Sequence, residues 1–199
     1  MLKKIRIAVL VSGGGTNLQA LLDAQGSAIT SGEIALVVSN KQNAYALTRA
    51  KKAGVRAVAL TQSGPAFEEE LCALLLEENI GLVVLAGFLK ILSAEFTRRY
   101  EGRIINIHPS LIPSFCGAGY YGLKVHEAAL QYGVKVTGAT VHYVNEVPDG
   151  GKILLQKAVE VKEGDTPEVL QKRVMEEAEW LLLPRAAELV CQKLLQAER

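Results

Sequence analysis

Short apolar runs alternate along the chain with amphipathic segments of helical period. Ile5–Val11, Ile34–Ser39, Arg56–Leu60, Gly81–Ala86 and Ile104–Ile107 read as strands. The run at Gly81–Ala86 is so apolar that both of its faces must be covered, as in a parallel sheet. Between the strands, Thr16–Gln25, Ala44–Ala53 and Phe67–Glu78 carry helical patterns, and Ser93 caps a further helix over Ser93–Tyr100. In Phe67–Glu78 the residues Leu71, Leu74 and Leu75 fall on one face. Gly54 closes the second helix. This β-α-β-α rhythm predicts an α/β fold, a twisted and mainly parallel sheet with helices on both faces.

The rhythm changes after Pro113. A Gly/Tyr-rich loop, Cys116 to Gly122, precedes a helix near Val125–Gln131. Lys135–Val144 and Lys152–Val161 are long strand-like runs joined by the short loop Asn145–Gly151, which favours an antiparallel pair. Thr166 caps the last helix, with Pro167 at its first position. A proline inside a helix removes a hydrogen bond and crowds the preceding turn, so a break is expected near Pro184, with the helix resuming to Leu195. No repeat or linker interrupts the pattern, and residues 1–199 read as one domain.

Composition narrows the function classes. Of the 199 residues, 49% are hydrophobic and 22% charged, ordinary values for a globular protein. A net charge of +1 gives no argument for nucleic acid or an anionic membrane as partner. The longest apolar segment, Ile80 to Leu92, is interrupted by Lys90 and is too short to span a bilayer. Three cysteines, odd in number and without metal-type spacing, fit a reduced cytoplasmic protein.

The chemistry concentrates in four places. Asn106 and His108 stand two apart at a strand end, so they project to one side before Pro109 turns the chain out. An amide N–H stabilises a developing oxyanion and an imidazole carries a proton, a pairing suited to acyl transfer between nitrogens. The loop Ser12-Gly13-Gly14-Gly15-Thr16-Asn17 opens a helix, where backbone N–H groups receive an anion. It lacks the Walker lysine and the third glycine of the dinucleotide fingerprint, which points to a phosphate monoester on a small substrate. Asp149, ahead of two glycines in the acidic loop Asn145–Gly151, reads from its spacing as an ordinary solvated Asp-Gly turn or as a carboxylate turned toward a neighbouring site, where beside His108 it would raise the histidine's pKa. The segment Ala86–Leu92 leaves the most apolar strand through Gly87 and can line a slot for a flat heterocycle. Of the other histidines, His142 is expected to pack or hydrogen-bond within its strand pair and His126 to lie on a helix surface.

Together these segments resemble the phosphoribosylglycinamide formyltransferases, folate-dependent enzymes of purine synthesis. The likeness runs from Ile5 to about Pro184. It rests on Ser12–Leu18, Val38–Lys41, Leu85–Leu92, Val136–His142 and the element Asn106-Ile107-His108-Pro109-Ser110-Leu111-Ile112-Pro113, which the wider formyltransferase superfamily shares. The resemblance implies a Rossmann-like formyltransferase fold, with a phosphate-binding half over 1–108 and a folate-loop and C-terminal helix half over 109–199. It implies 10-formyltetrahydrofolate as co-substrate, glycinamide ribonucleotide as acceptor, no metal, and a monomer or homodimer. Asn106, His108 and Asp149 match the catalytic trio. Gly14, Gly15, Thr16, Asn17 and Glu179 match the ribonucleotide site. Leu89, Lys90, Ile91, Leu92, Asn106 and Val144 match the folate site. The loop from Cys116 to Gly122 is longer than usual, a common basic residue is absent at Gly64, and Trp180 replaces a frequent histidine. A hydrolase of formyltetrahydrofolate would need an additional N-terminal domain and the tRNA formyltransferase a C-terminal barrel, so both are disfavoured. A non-catalytic phosphometabolite-binding module is disfavoured by the intact trio.

Overall fold

The structure, a computed structural model, describes residues 3–197. The outermost positions of the expected domain, 1–2 and 198–199, lie outside the described residues. Seven strands form one sheet in the order β3-β2-β1-β4-β5-β6-β7. They are β1 (Ile5–Val11), β2 (Gly32–Ser39), β3 (Arg56–Ala59), β4 (Ile80–Leu85), β5 (Ile104–His108), β6 (Val136–Tyr143) and β7 (Ile153–Glu160). The first five pair in parallel. β6 runs antiparallel to both β5 and β7. The expected α/β class, the mainly parallel sheet and the antiparallel C-terminal pair are all present.

Alternate residues of the central strands feed two apolar layers. Ile7, Val9 and Val11 of β1 face a layer built with α1 (Thr16–Ala24), α2 (Tyr45–Lys52) and α7 (Trp180–Ala197), through residues such as Leu21, Ala50 and Leu183. Ala8 and Leu10 face the opposite layer, where Phe67, Leu71 and Leu75 of α3 (Pro65–Glu77) meet Phe96 of α4 (Ala94–Arg99). Burial on both sides is the physical reason the central strands read as continuous apolar runs rather than alternating ones. Each fully buried leucine or phenylalanine contributes about 1.5–3 kcal/mol over its exposed state.

The caps act as expected at two helices. Ser93 Oγ accepts from Phe96 N–H at 3.1 Å at the start of α4. Thr166 Oγ1 accepts from Val169 N–H at 3.4 Å at the start of α6 (Pro167–Val174). The end of the chain differs from expectation. There is no break at Pro184, which lies inside the continuous helix α7. The irregularity sits upstream, in a π-helical turn over Met175–Glu179, where Trp180 N–H reaches back to Met175 O. The helix is widened upstream of the proline and runs on through it.

Candidate active site

β5 ends at the C-terminal edge of the sheet, where open α/β sheets receive ligands. Asn106 and His108 share a face there, and the antiparallel ladder sets His142 directly opposite Asn106. Asp149 reaches the same place from the loop between β6 and β7. Its backbone is left-handed, at φ 55°. The chain returns so closely after it that a side chain on Gly151 would overlap the Tyr143 carbonyl oxygen, at 1.7 Å.

The four side chains form one cluster. His108 Nδ1 lies 3.5 Å from Asp149 Oδ2, and His142 Nε2 lies 3.5 Å from Asp149 Oδ1. Asn106 Nδ2 lies 3.1 Å from His142 Nε2 and 3.4 Å from Asp149 Oδ1. His142 Nδ1 is 2.8 Å from its neighbour's carbonyl, Tyr143 O. That contact places a proton on Nδ1, because a carbonyl oxygen only accepts, and Nε2 faces both the Asn106 amide and the Asp149 carboxylate. The loop after β5 closes the cluster. Gly117 N–H donates to Asp149 Oδ2 at 2.8 Å. His108 Nε2 sits 2.9 Å from Phe115 O.

The charges follow from these partners. Burial pushes the Asp149 carboxyl up, but the His142 contact, the His108 ring and the Gly117 amide outweigh it and hold the group below its usual range. His108 is 4% exposed. Burial pulls its pKa below the ordinary imidazole value, although Asp149 and the Phe115 carbonyl push upward. The expected rise is therefore corrected to a net fall, because desolvation of the imidazolium exceeds the help of one carboxylate 3.5 Å away.

The glycine loop lies at the head of α1. Gly15 is its N-cap at φ 74°, and a side chain there would meet Ala46 Cβ at 2.6 Å. Asn17 Nδ2 donates to Glu179 Oε2 at 2.5 Å, while Asn17 Oδ1 is buried without a hydrogen-bond partner among the described residues. Glu179 is buried, and that burial raises its carboxyl to about 7 against the opposing Asn17 hydrogen bond.

Two spaces meet at Asn106 and Asp149. A cavity of about 510 Å³ has Asn17, Glu179 and His108 in its wall. A narrower slot of about 120 Å³ has Leu85, Leu92, His142 and Val144 in its wall, and both spaces touch Lys90 and Ile91. The structure thus brings Asn106, His108, Asp149, Asn17, Glu179 and Leu89–Ile91 to one cavity, with Leu92 and Val144 in the adjoining slot. Leu89 is anchored there by its N–H to Ser12 Oγ at 2.9 Å. Gly14 and Thr16 do not line this cavity: Gly14 O accepts from Arg49 Nε, and Thr16 faces a separate hollow.

Sequence reasoning missed two histidines. His142 belongs to the cluster, and the signal was its register opposite Asn106, which exists only once β5 and β6 are paired. His126 is not on a helix surface. It is wholly buried on the inner face of α5 (Leu123–Tyr132) with Val125 and Ala129. It borders the cavity, and burial, reinforced by His108, lowers its pKa to about 4.

Known proteins resemble this chain in sequence and in fold. Residues 5–186 match the family model described as formyl transferase. The chain is 45% identical over 197 residues to the trifunctional purine biosynthetic protein adenosine-3 of Gallus gallus, a match covering 97% of this chain and 19% of that protein. It therefore spans under one fifth of that relative's length. It is 42% identical to phosphoribosylglycinamide formyltransferase of Haemophilus influenzae, over 86% of this chain and 81% of that one. The crystal structure of glycinamide ribonucleotide transformylase 1 from Symbiobacterium toebii superposes with a TM-score of 0.88 at 41% identity, covering 96% of this chain and 89% of that one.

Proposed function

The chain belongs to the formyl transferase family, and from that premise we propose that it transfers the formyl group of 10-formyltetrahydrofolate to the amine of glycinamide ribonucleotide. The observation that carries this reading is one cavity with a His108–Asp149–Asn106 cluster at one side and the Asn17–Glu179 pair at the other. The first suits acyl transfer between nitrogens, and the second suits a phosphoribosyl group. The folate pterin enters the slot beside Leu92 and Val144, with Leu89, Lys90 and Ile91 at its mouth. The ribonucleotide binds along Gly14, Gly15, Thr16, Asn17 and Glu179. Both substrates are small molecules, and the setting is the cytoplasm.

The charges set the order of events. The glycinamide nitrogen attacks the formyl carbon, and the carbonyl π pair moves to oxygen. Asn106 Nδ2 donates to that oxyanion through the hydrogen held only at 3.4 Å by Asp149. His108 begins neutral in its buried site and takes the proton of the newly bonded nitrogen. Asp149, already ionised, compensates the imidazolium as it forms. The oxyanion collapses, the bond to N10 breaks, and His108 returns the proton to N10, giving tetrahydrofolate and the formylated ribonucleotide. Absorbance detection of tetrahydrofolate, with and without glycinamide ribonucleotide, tests the reading. Release only with the ribonucleotide is expected, and equal release without it identifies a hydrolase instead.

A further inference from the structure

Three strand ends meet at one hydroxyl. β2, β1 and β4 are neighbours in the sheet, and Asn40, Ser12 and Leu89 lie just beyond their C-terminal ends. Ser12 is 3% exposed. Its Oγ donates to Asn40 Oδ1 at 2.7 Å and accepts from Leu89 N–H at 2.9 Å. A backbone N–H only donates, so the hydroxyl proton has to point to Asn40, whose side-chain carbonyl oxygen takes it. Neither Asn40 nor Ser12 lines the cavity or the slot, so neither touches a molecule placed there.

Leu89 stands in an irregular segment. Phe88–Leu92 belongs to no helix or strand, and Leu89 and Ile91 are 54% and 72% exposed. Packing therefore fixes this backbone weakly, and a ligand bonding to it would bear the entropy of ordering it. Two clamps bound the segment. Before it, Ser12 N–H donates to Gly87 O at 3.1 Å. After it, Ser93 N–H and Ser93 Oγ donate to the Glu68 carboxylate at 2.6 and 2.5 Å. Between the clamps, the Leu89–Ser12 bond is the one hydrogen bond made by the backbone of Phe88–Leu92 among the described residues.

We propose that Ser12 and Asn40 are positioning residues for the formyl donor. Asn40 aims the Ser12 hydroxyl, and the hydroxyl holds the Leu89 backbone in the form that receives the folate. This rests on the reading above that puts the pterin beside Leu89–Leu92. Neither side chain reaches a reacting atom, so the pair acts on donor binding and leaves the proton transfers at His108 unchanged. Preorganising the segment before the donor arrives removes an ordering cost from binding.

Tetrahydrofolate, the folate product, serves as the probe, and calorimetric titration of the intact protein reads its Kd. Ser12→Ala should raise that Kd, and KM for the formyl donor, about three- to tenfold, the worth of one hydrogen bond. Its kcat and its KM for the ribonucleotide should stay within about twofold of wild type. Asn40→Ala frees the hydroxyl to rotate and should raise the same two quantities about two- to threefold. Asn40→Asp keeps an acceptor oxygen and should recover donor affinity relative to Asn40→Ala. Amide hydrogen exchange reads the contact itself: Leu89 N–H should exchange about three- to tenfold faster in Ser12→Ala, with the amides of β4 unchanged. A lower melting temperature with unchanged tetrahydrofolate Kd and unchanged Leu89 exchange assigns the pair to packing and overturns the proposal. Equal rises in KM for both substrates overturn it as well. The two readings fail separately. A wild type that neither binds tetrahydrofolate nor transfers formyl removes the proposed reaction, whereas binding that is the same in every variant removes only the role of Ser12 and Asn40.

Discussion

Asp149 and Glu179 line one cavity, yet each acid is surrounded by different partners. Asp149 has two imidazoles within 3.5 Å, a backbone N–H at 2.8 Å and the Asn106 amide. Among the described residues Glu179 has a single donor, Asn17. Burial raises both carboxyls, and the number of donors decides the outcome: Asp149 stays below its usual range and Glu179 rises to about 7. The cavity therefore holds a fixed negative charge at the Asp149 end and a switchable one at the Glu179 end. A carboxyl with a proton to share donates to a hydroxyl and an ionised one only accepts, so Glu179 can meet either kind of partner while Asp149 serves one charge state.

The strongest way to break the contrast is at the reacting end. His108→Ala removes the proton carrier beside Asp149, and kcat should fall about 10²–10⁴-fold, with ribonucleotide affinity retained. Single-turnover kinetics and calorimetric titration measure the two separately. A variant turning over near the wild-type rate would sink the proposed mechanism. Asp149→Asn keeps the shape and removes the charge, and a loss of about a hundredfold or more in kcat is expected. It should also lower the His108 pKa further, since the main upward influence is gone. An NMR titration giving the same histidine pKa in both proteins refutes the coupling.

At the other end the comparison is sharpened by stability rather than rate. Glu179 is raised from 4.5 to about 7 in the folded chain, so the native state holds a proton that the unfolded state releases. The folded state then loses stability as pH rises from about 4.5 to 7 and levels off above that. The size is on the order of 3 kcal/mol. Glu179→Gln cannot ionise and should abolish that slope. Melting curves across this range check it, and identical slopes in both proteins would show that Glu179 is not the group responsible.

The same distinction between local and assembled properties explains what could be read from the chain. Strands buried on both faces announce themselves as apolar runs, and Ser93 and Thr166 cap their helices through contacts three residues away. Asn106 and His108 were legible because strand alternation alone places them together. Their partners were not. His142 joins through a strand pairing between residues 36 apart, and His126 turns inward because α5 packs one face against the molecule. The direction of the His108 shift depends on burial, which no spacing encodes. Pro184 misled for a related reason: the π turn that accommodates it lies a turn upstream, in residues with ordinary helical preferences.

His142 offers the finest test of the contrast, because it separates the number of donors on Asp149 from the identity of the reacting group. His142→Ala leaves Asn106 Nδ2 without its 3.1 Å partner and Asp149 with one imidazole instead of two. The loss of one such interaction corresponds to about tenfold in kcat. A positioning role predicts more than slowing. The His142 contact is the foremost influence holding the Asp149 carboxyl down, so without it burial gains and the carboxyl rises toward the behaviour of Glu179. The acid limb of the kcat/KM profile, where protonation of Asp149 ends its support of His108, should then move to higher pH. A variant that is slower at every pH with an unmoved acid limb would assign His142 to packing alone, and the charge of Asp149 to His108 and Gly117.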